Sequence, residues 1–355
     1  IRRQRQMCIR DRNKSCRGTD CKKGDFIMTY QLAEGVNLHV LQTKQYKTVR
    51  IFVRFTTRLA KETLTKRSLL SSLLETNSLN YPDQTQLSAK LADLYGASFG
   101  LSVRKKGNLH WLNAGISFVN GKYVNDSEIF NEAVDFLKEV LFYPNIKEQK
   151  FDQLTFDLEK NNLKLYLESL NEDKQTMASL ALQELYFEQS DAQKIPSFGT
   201  IEDLEELTAE SLATYYQEMI ANDQVDIFVV GDVSEEEVKV ALEKLPFTGR
   251  TYAHPEIYYT QPKVNIIKER QIQEPVVQAK LNLAYQTDIY YDQPERFSLM
   301  VFNGLFGGFP HSKLFMNVRE KESLAYYASS SVDTFRGFMS VQTGIDGKNR
   351  NQVLR

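Results

Sequence analysis

Between residues 46 and 118 the chain reads as strand, helix, helix, strand, strand, and the same order returns roughly 230 residues later. Residues 46–56 alternate apolar and polar side chains as a half-buried strand does, and 277–286 do the same. Leucines at helical spacing over 64–79 have a counterpart in the apolar stretch 295–305. The amphipathic stretch 86–94 has one in 312–322. Two strands at 97–104 and 110–118, joined by the polar turn Lys105-Lys106-Gly107-Asn108, are matched by a strand starting at Ser323-Leu324 and another at 337–343. An internal duplication restricts the fold sharply, because both copies must bury their apolar faces in one arrangement.

The first copy continues through expected helices at 129–141, 147–170, 174–187 and 209–220, then a buried-type strand at 225–230. Ser234 and Glu237 have capping-box spacing for a helix running to Leu245. A linker with Pro255, Pro262 and the tyrosines Tyr252, Tyr258 and Tyr259 follows at 247–262. This divides the chain into a leader (1–27), a first domain (28–246) and a second (263–355). The second stops soon after the counterpart of the 110–118 strand, so it is expected to be incomplete.

At 355 residues the chain is long enough for two domains with real cores. Hydrophobic residues at 42% and charged residues at 25% fit a globular protein, and the net charge of -2 offers no basic footprint for nucleic acid or anionic membrane. No apolar run approaches the length of a membrane span. All three cysteines, Cys8, Cys16 and Cys21, lie in the first 27 residues, so the rest of the fold uses no disulfide or thiolate metal site. That leader is basic and lacks both helical periodicity and the apolar core of a signal peptide. It reads as extraneous sequence ahead of Met28, or else as a nucleic-acid-binding arm, and the remainder reads as a cytoplasmic protein.

Chemistry concentrates at 304–330. Gly304, Gly307 and Gly308 form an expected turn into a helix that ends in Arg319-Glu320-Lys321-Glu322, and the strand after it holds Tyr326. A guanidinium and a phenol seven positions apart, across a helix end and a strand start, can both donate to a carbonyl oxygen. The plainer alternatives are a solvated ion pair for Arg319 and core packing for Tyr326. The glycines lack phosphate-loop spacing. His311 beside Ser312 has no carboxylate partner at a readable spacing, which argues against a serine nucleophile. His39, His110, His254 and His311 are scattered singly, with no pair at i,i+4. The tyrosine cluster reads as linker packing.

The segment around Arg319 and Tyr326 resembles the second-half signature of the M16 (insulinase/pitrilysin, processing-peptidase) family. Residues 196–216 and 229–238 are similar to two further family stretches, so the resemblance runs from about Met28 to Arg355. It implies an α+β fold of duplicated αβ-roll domains, each an antiparallel sheet covered by helices, with the second domain truncated. Active members carry HxxEH, in which two histidines one helical turn apart hold zinc and the glutamate is general base. The corresponding positions here are Ser72, Glu75 and Thr76, so only the base position is kept. Taking Glu172-Asp173-Lys174 as the family's D-n-P, Glu159 matches a glutamate seven residues before the third ligand, and Tyr166 stands where that ligand belongs. By resemblance, the chain is a metal-free, non-catalytic subunit without a cofactor of its own. It would pair with an HxxEH-bearing subunit that supplies zinc, and Arg319 and Tyr326 would bind and polarise the carbonyl of a peptide substrate. Gram-positive bacteria encode such pairs, some associated with elongation factor P modification. The alternative is a peptide-binding or structural scaffold with no part in proteolysis.

Overall fold

The computed structural model describes residues 27–252, 255–263 and 266–355. The three cysteines, His254 and all of the leader except Ile27 lie outside them. Strand β1 (Ile27–Ala33) forms a hairpin with β2 (Val36–Gln42), and β3 (Thr48–Arg58) follows. Two helices, α1 (Lys61–Thr76) and α2 (Gln84–Asp93), lead to a second hairpin of β4 (Ser98–Lys106) and β5 (Leu109–Val119). Helix α3 (Ile129–Phe142), a short hairpin of β6 (Ile146–Lys147) and β7 (Lys150–Phe151), and helices α4 (Gln153–Ser169), α5 (Lys174–Tyr186) and α6 (Ala209–Asn222) come next. Strand β8 (Gln224–Gly231) and helix α7 (Glu235–Leu242) follow. The later part holds β9 (Ala279–Gln286), α8 (Glu295–Asn303), β10 (Ala325–Asp333) and β11 (Phe338–Ile345).

The large sheet has the order β1-β2-β8-β3-β5-β4, antiparallel except where β8 runs parallel to β2. One face is apolar and closed. Val36, Leu38, Ile51, Val53, Phe55, Leu112, Ala114, Ile116, Ile227 and Val229 have no exposed surface, and they pack under Leu69, Leu73 and Leu74 of α1, Leu137 and Val140 of α3, and Leu212 and Met219 of α6. Burying each of these leucines contributes roughly 1.5–3 kcal/mol. Among the described residues the other face carries no helix layer, and it is polar and aromatic. Arg54 stacks 4.1 Å over Trp111, and Phe228 lies between Phe52 and His39 with ring centroids 4.6 Å apart on both sides. Helices on a single face of a mostly antiparallel sheet make this an α+β fold.

The small sheet has the order β10-β11-β9 and is antiparallel throughout. The three outermost strands on the β4 side of the large sheet, β3-β5-β4, have the same order and the same directions. The likeness continues past the last strand of each set. Asn120 after β5 and Asp346 after β11 each cap a single 3-10 turn, accepting from Lys122 N at 3.1 Å and Lys348 N at 3.2 Å.

Three local expectations need correction. The hairpin β1–β2 is not among the expected elements, although Val36, Leu38 and Val40 alternate cleanly. The helix expected from 147 starts at Gln153. Left-handed Glu148 and Gln149 turn the β6–β7 hairpin first, and Asp152 then caps the helix by accepting from Thr155 N at 3.0 Å. Gly304–Gly308 is no turn. It carries α8 onward as a π-helical stretch, and a second π-helical stretch, Phe315–Lys321, occupies most of the helix expected at 312–322. Gly307 is needed there because a Cβ would come within 2.7 Å of Ser330 N on β10. Among the described residues, no helix is long and apolar enough to cross a membrane.

Candidate functional site

Ser72, Glu75 and Thr76 lie on one face of the last turn of α1, as i, i+3 and i+4 must. They are half-buried, and Glu75 and Thr76 are hydrogen-bonded within the protein. The Thr76 hydroxyl lies 2.8 Å from the Ser72 carbonyl and 3.1 Å from Glu159 Oε1 on α4. Glu159 Oε2 accepts from Asn162 Nδ2 at 3.3 Å. The next residue, Asn77, donates to Thr155 Oγ1 at 2.8 Å, which ties the end of α1 to the first turn of α4. Glu75 points the other way: its Oε2 accepts from the backbone N–H of Leu101 on β4 at 2.9 Å.

The carboxylate brought to the Ser72–Thr76 face is therefore that of Glu159. Tyr166 lies two turns further along α4, where its ring meets Phe198 edge-on at 5.5 Å, and it is 49% exposed. Tyr166, expected at the lost third-ligand position, shows no contact with this face, whereas Glu159 on α4 reaches Thr76. Spacing along one helix does not fix which turn faces a neighbour, so the sequence alone could not separate the two.

The residues present do not fit a zinc ion. Tetrahedral zinc takes imidazole, thiolate or carboxylate ligands, and a neutral hydroxyl at Ser72 or Thr76 is a poor substitute. Among the described residues there is no group of three or more His, Cys, Asp or Glu that could hold a metal. Two carboxylates remain, Glu75 and Glu159, and each already accepts a hydrogen bond from the protein.

Arg319 and Tyr326 flank the turn between the second π-helical stretch and β10. Ser323 takes a left-handed conformation there, and Leu324 N donates to Val318 O at 2.9 Å to close the turn. Both side chains are exposed, Tyr326 by 66%. The Arg319 guanidinium lies 4.5 Å from the centre of the Phe315 ring and 3.5 Å from the Glu320 carboxylate. Neither contact is buried, so the guanidinium keeps donors for an outside acceptor. Tyr327 faces inward and its hydroxyl donates to Gln175 on α5.

The remaining candidates have structural roles. Tyr258 packs on Tyr290 and Phe335, and Tyr259 packs on Phe187 while donating to Gln261. These contacts join the linker to the β10–β11 turn. Ser312 is fully buried, and the His311 ring lies 5.5 Å from that of Phe309.

One polar cluster gave no readable signal in the sequence. Arg67 on α1 is fully buried, donating to Asp223 at 2.6 Å, to the Tyr215 hydroxyl at 3.2 Å and to the Phe55 carbonyl at 2.9 Å. A leucine-rich helix gives no hint that an arginine within it points inward.

Comparison with known proteins places these features. Residues 206–355 match a family model described as the peptidase M16 inactive domain. A Bacillus subtilis (strain 168) protein named "Probable inactive metalloprotease YmfF" is 37% identical over 323 residues, covering 90% of this chain and 75% of that protein. A solved structure of a conserved protein from Enterococcus faecalis V583 is 65% identical with a TM-score of 0.88, covering 93% of this chain and 77% of the other. A peptidase M16 inactive domain from Pseudomonas fluorescens, at 19% identity, shares the fold with a TM-score of 0.74 over 92% of this chain and 76% of its own.

Proposed function

This chain belongs to the M16 peptidase family as an inactive metallopeptidase homologue, and we propose that it is the metal-free, peptide-binding subunit of a pair. The partner in this reading is a separate M16 subunit bearing HxxEH, which contributes zinc and the general base. This chain contributes Arg319 and Tyr326 as donors to a substrate carbonyl, and a polypeptide is the substrate class.

The single observation that carries the reading is the closure of the Ser72–Glu75–Thr76 face onto Glu159 and Leu101, while Arg319 and Tyr326 remain exposed. Such a chain can hold a carbonyl but lacks the means to activate water. The matching sheet orders and capped turns support two copies of one unit, 28–246 and 263–355, joined by 247–262.

The test is co-expression with an HxxEH partner, followed by zinc analysis and peptide cleavage. We expect zinc only in the partner, and cleavage that falls at least roughly tenfold with Arg319→Ala or Tyr326→Phe. A cleaving complex indifferent to both substitutions would remove the electrophilic role and leave a structural subunit. Chelator-sensitive cleavage by this chain alone would overturn the whole reading.

A further inference from the structure

Glu75 ends on an edge strand of the large sheet, and an unpaired strand edge is the kind of surface an extended peptide can join. Among the described residues, β4 is the outermost strand of the large sheet and pairs with β5 alone. In an antiparallel ladder alternate amides face the partner strand and the others face away. The Leu101 N–H is of the second kind, since it donates to Glu75 Oε2 at 2.9 Å. Phe99 and Val103 share its parity.

The far end of the strand is tied down differently. Lys105 Nζ donates to the carbonyls of Ala192, at 2.5 Å, and Ile195, while Gln193 Nε2 donates to Gly107 O at 2.8 Å. The stretch open to pairing thus runs from Ser98 to Arg104, with Leu101 near its middle.

The geometry points to Glu75 as an intramolecular gate on this edge: its carboxylate takes the place of the peptide carbonyl that an added strand would offer to Leu101. An extended polypeptide then docks on β4 only by displacing it. The inference rests on the peptide-binding reading above and adds how access is controlled. A carboxylate oxygen is an acceptor like a peptide carbonyl, and 2.9 Å is an ordinary ladder distance. Its charge makes the bond stronger than the neutral one that replaces it, so the closed state is favoured. Release is feasible because Glu75 is half-buried at the last turn of α1, and a rotamer change returns its carboxylate to water. The ligand this selects is an extended strand with free backbone groups, not a helical peptide.

The test uses the full chain and a terminally blocked, uncharged, fluorescent peptide of alternating Thr and Val, read by anisotropy. Hydrogen exchange at the Leu101 amide is followed in parallel. Glu75→Ala is expected to bind about tenfold tighter than the parent chain, and Glu75→Gln, which keeps a weaker acceptor, to fall between them. The Leu101 amide should exchange quickly in Glu75→Ala and slowly again once peptide is added. Equal affinity for all three proteins, with peptide still protecting Leu101, would overturn the gate and leave peptide binding standing. Slow exchange at Leu101 in Glu75→Ala without peptide would also overturn it. Failure of every variant to bind, with Leu101 unprotected, would overturn both the gate and peptide docking at this edge.

Discussion

Thr76 is a hydroxyl where a zinc site would need an imidazole, yet the carboxylate 3.1 Å away is the kind of third ligand such a site would use. Restoring the histidines therefore tests the geometry directly. The double variant Ser72→His/Thr76→His should retain about one zinc per chain after dialysis, measured by elemental analysis, with Glu159 as third ligand. Adding Glu159→Gln should weaken binding by roughly tenfold or more. If uptake instead requires Tyr166→Glu, the level of α4 has been misassigned. A second residue-scale prediction concerns His110, which is fully buried. Burial, then the Arg67 and Lys105 charges, hold its imidazole well below the usual range. The folded state keeps it neutral, whereas the unfolded chain takes up a proton near pH 6.5, so stability falls on acidification below that point. The slope is up to about 1.4 kcal/mol per pH unit. Denaturant unfolding between pH 6.5 and 5 should show it, and His110→Phe should flatten it. That HxxEH is absent is legible in the sequence. That Glu75 holds a backbone amide and His110 sits in the core is not, because neither follows from spacing.

At the scale of elements, α3 shows how periodicity becomes packing. Leu137 is fully buried against the sheet, and Leu137→Ala should lower the unfolding free energy by about 3 kcal/mol. Leu154 on α4 is 82% exposed, and Leu154→Ala should change it by less than about 0.5 kcal/mol. Denaturant midpoints would separate the two. The π-helical stretches were not legible, since an apolar helix period looks the same whether the backbone bond reaches four or five residues back. They arise where α8 and its continuation must pack against β10. Gly307→Ala puts a methyl against Ser330 and should cost about 1–3 kcal/mol, seen as a lowered unfolding midpoint with the fold retained.

Over the whole molecule, the small sheet repeats the order of three strands of the large one, but the two are covered unequally. Helix α1 is buried nearly all round, whereas α8 at the matching place leaves Phe297, Met300 and Val301 about 60% exposed. A contiguous apolar surface of this kind promotes association. The chain as it stands should therefore show a mass that rises with concentration in light scattering, and Val301→Lys should reduce that rise. If the variant associates as strongly as the parent, the contact lies elsewhere.

The recurrence of strand and helix patterns, the helix-covered α+β architecture and the missing histidines were determined by the sequence alone. Each depends on residue type and short-range period, which local physics fixes. The insertion of β8 between β2 and β3, the approach of Glu159 to Thr76 and the inward turn of Arg67 were decided only by the tertiary structure. So was the contact that sets Glu75 on the free edge of β4. Each joins groups far apart in the chain, where distance depends on how whole elements pack.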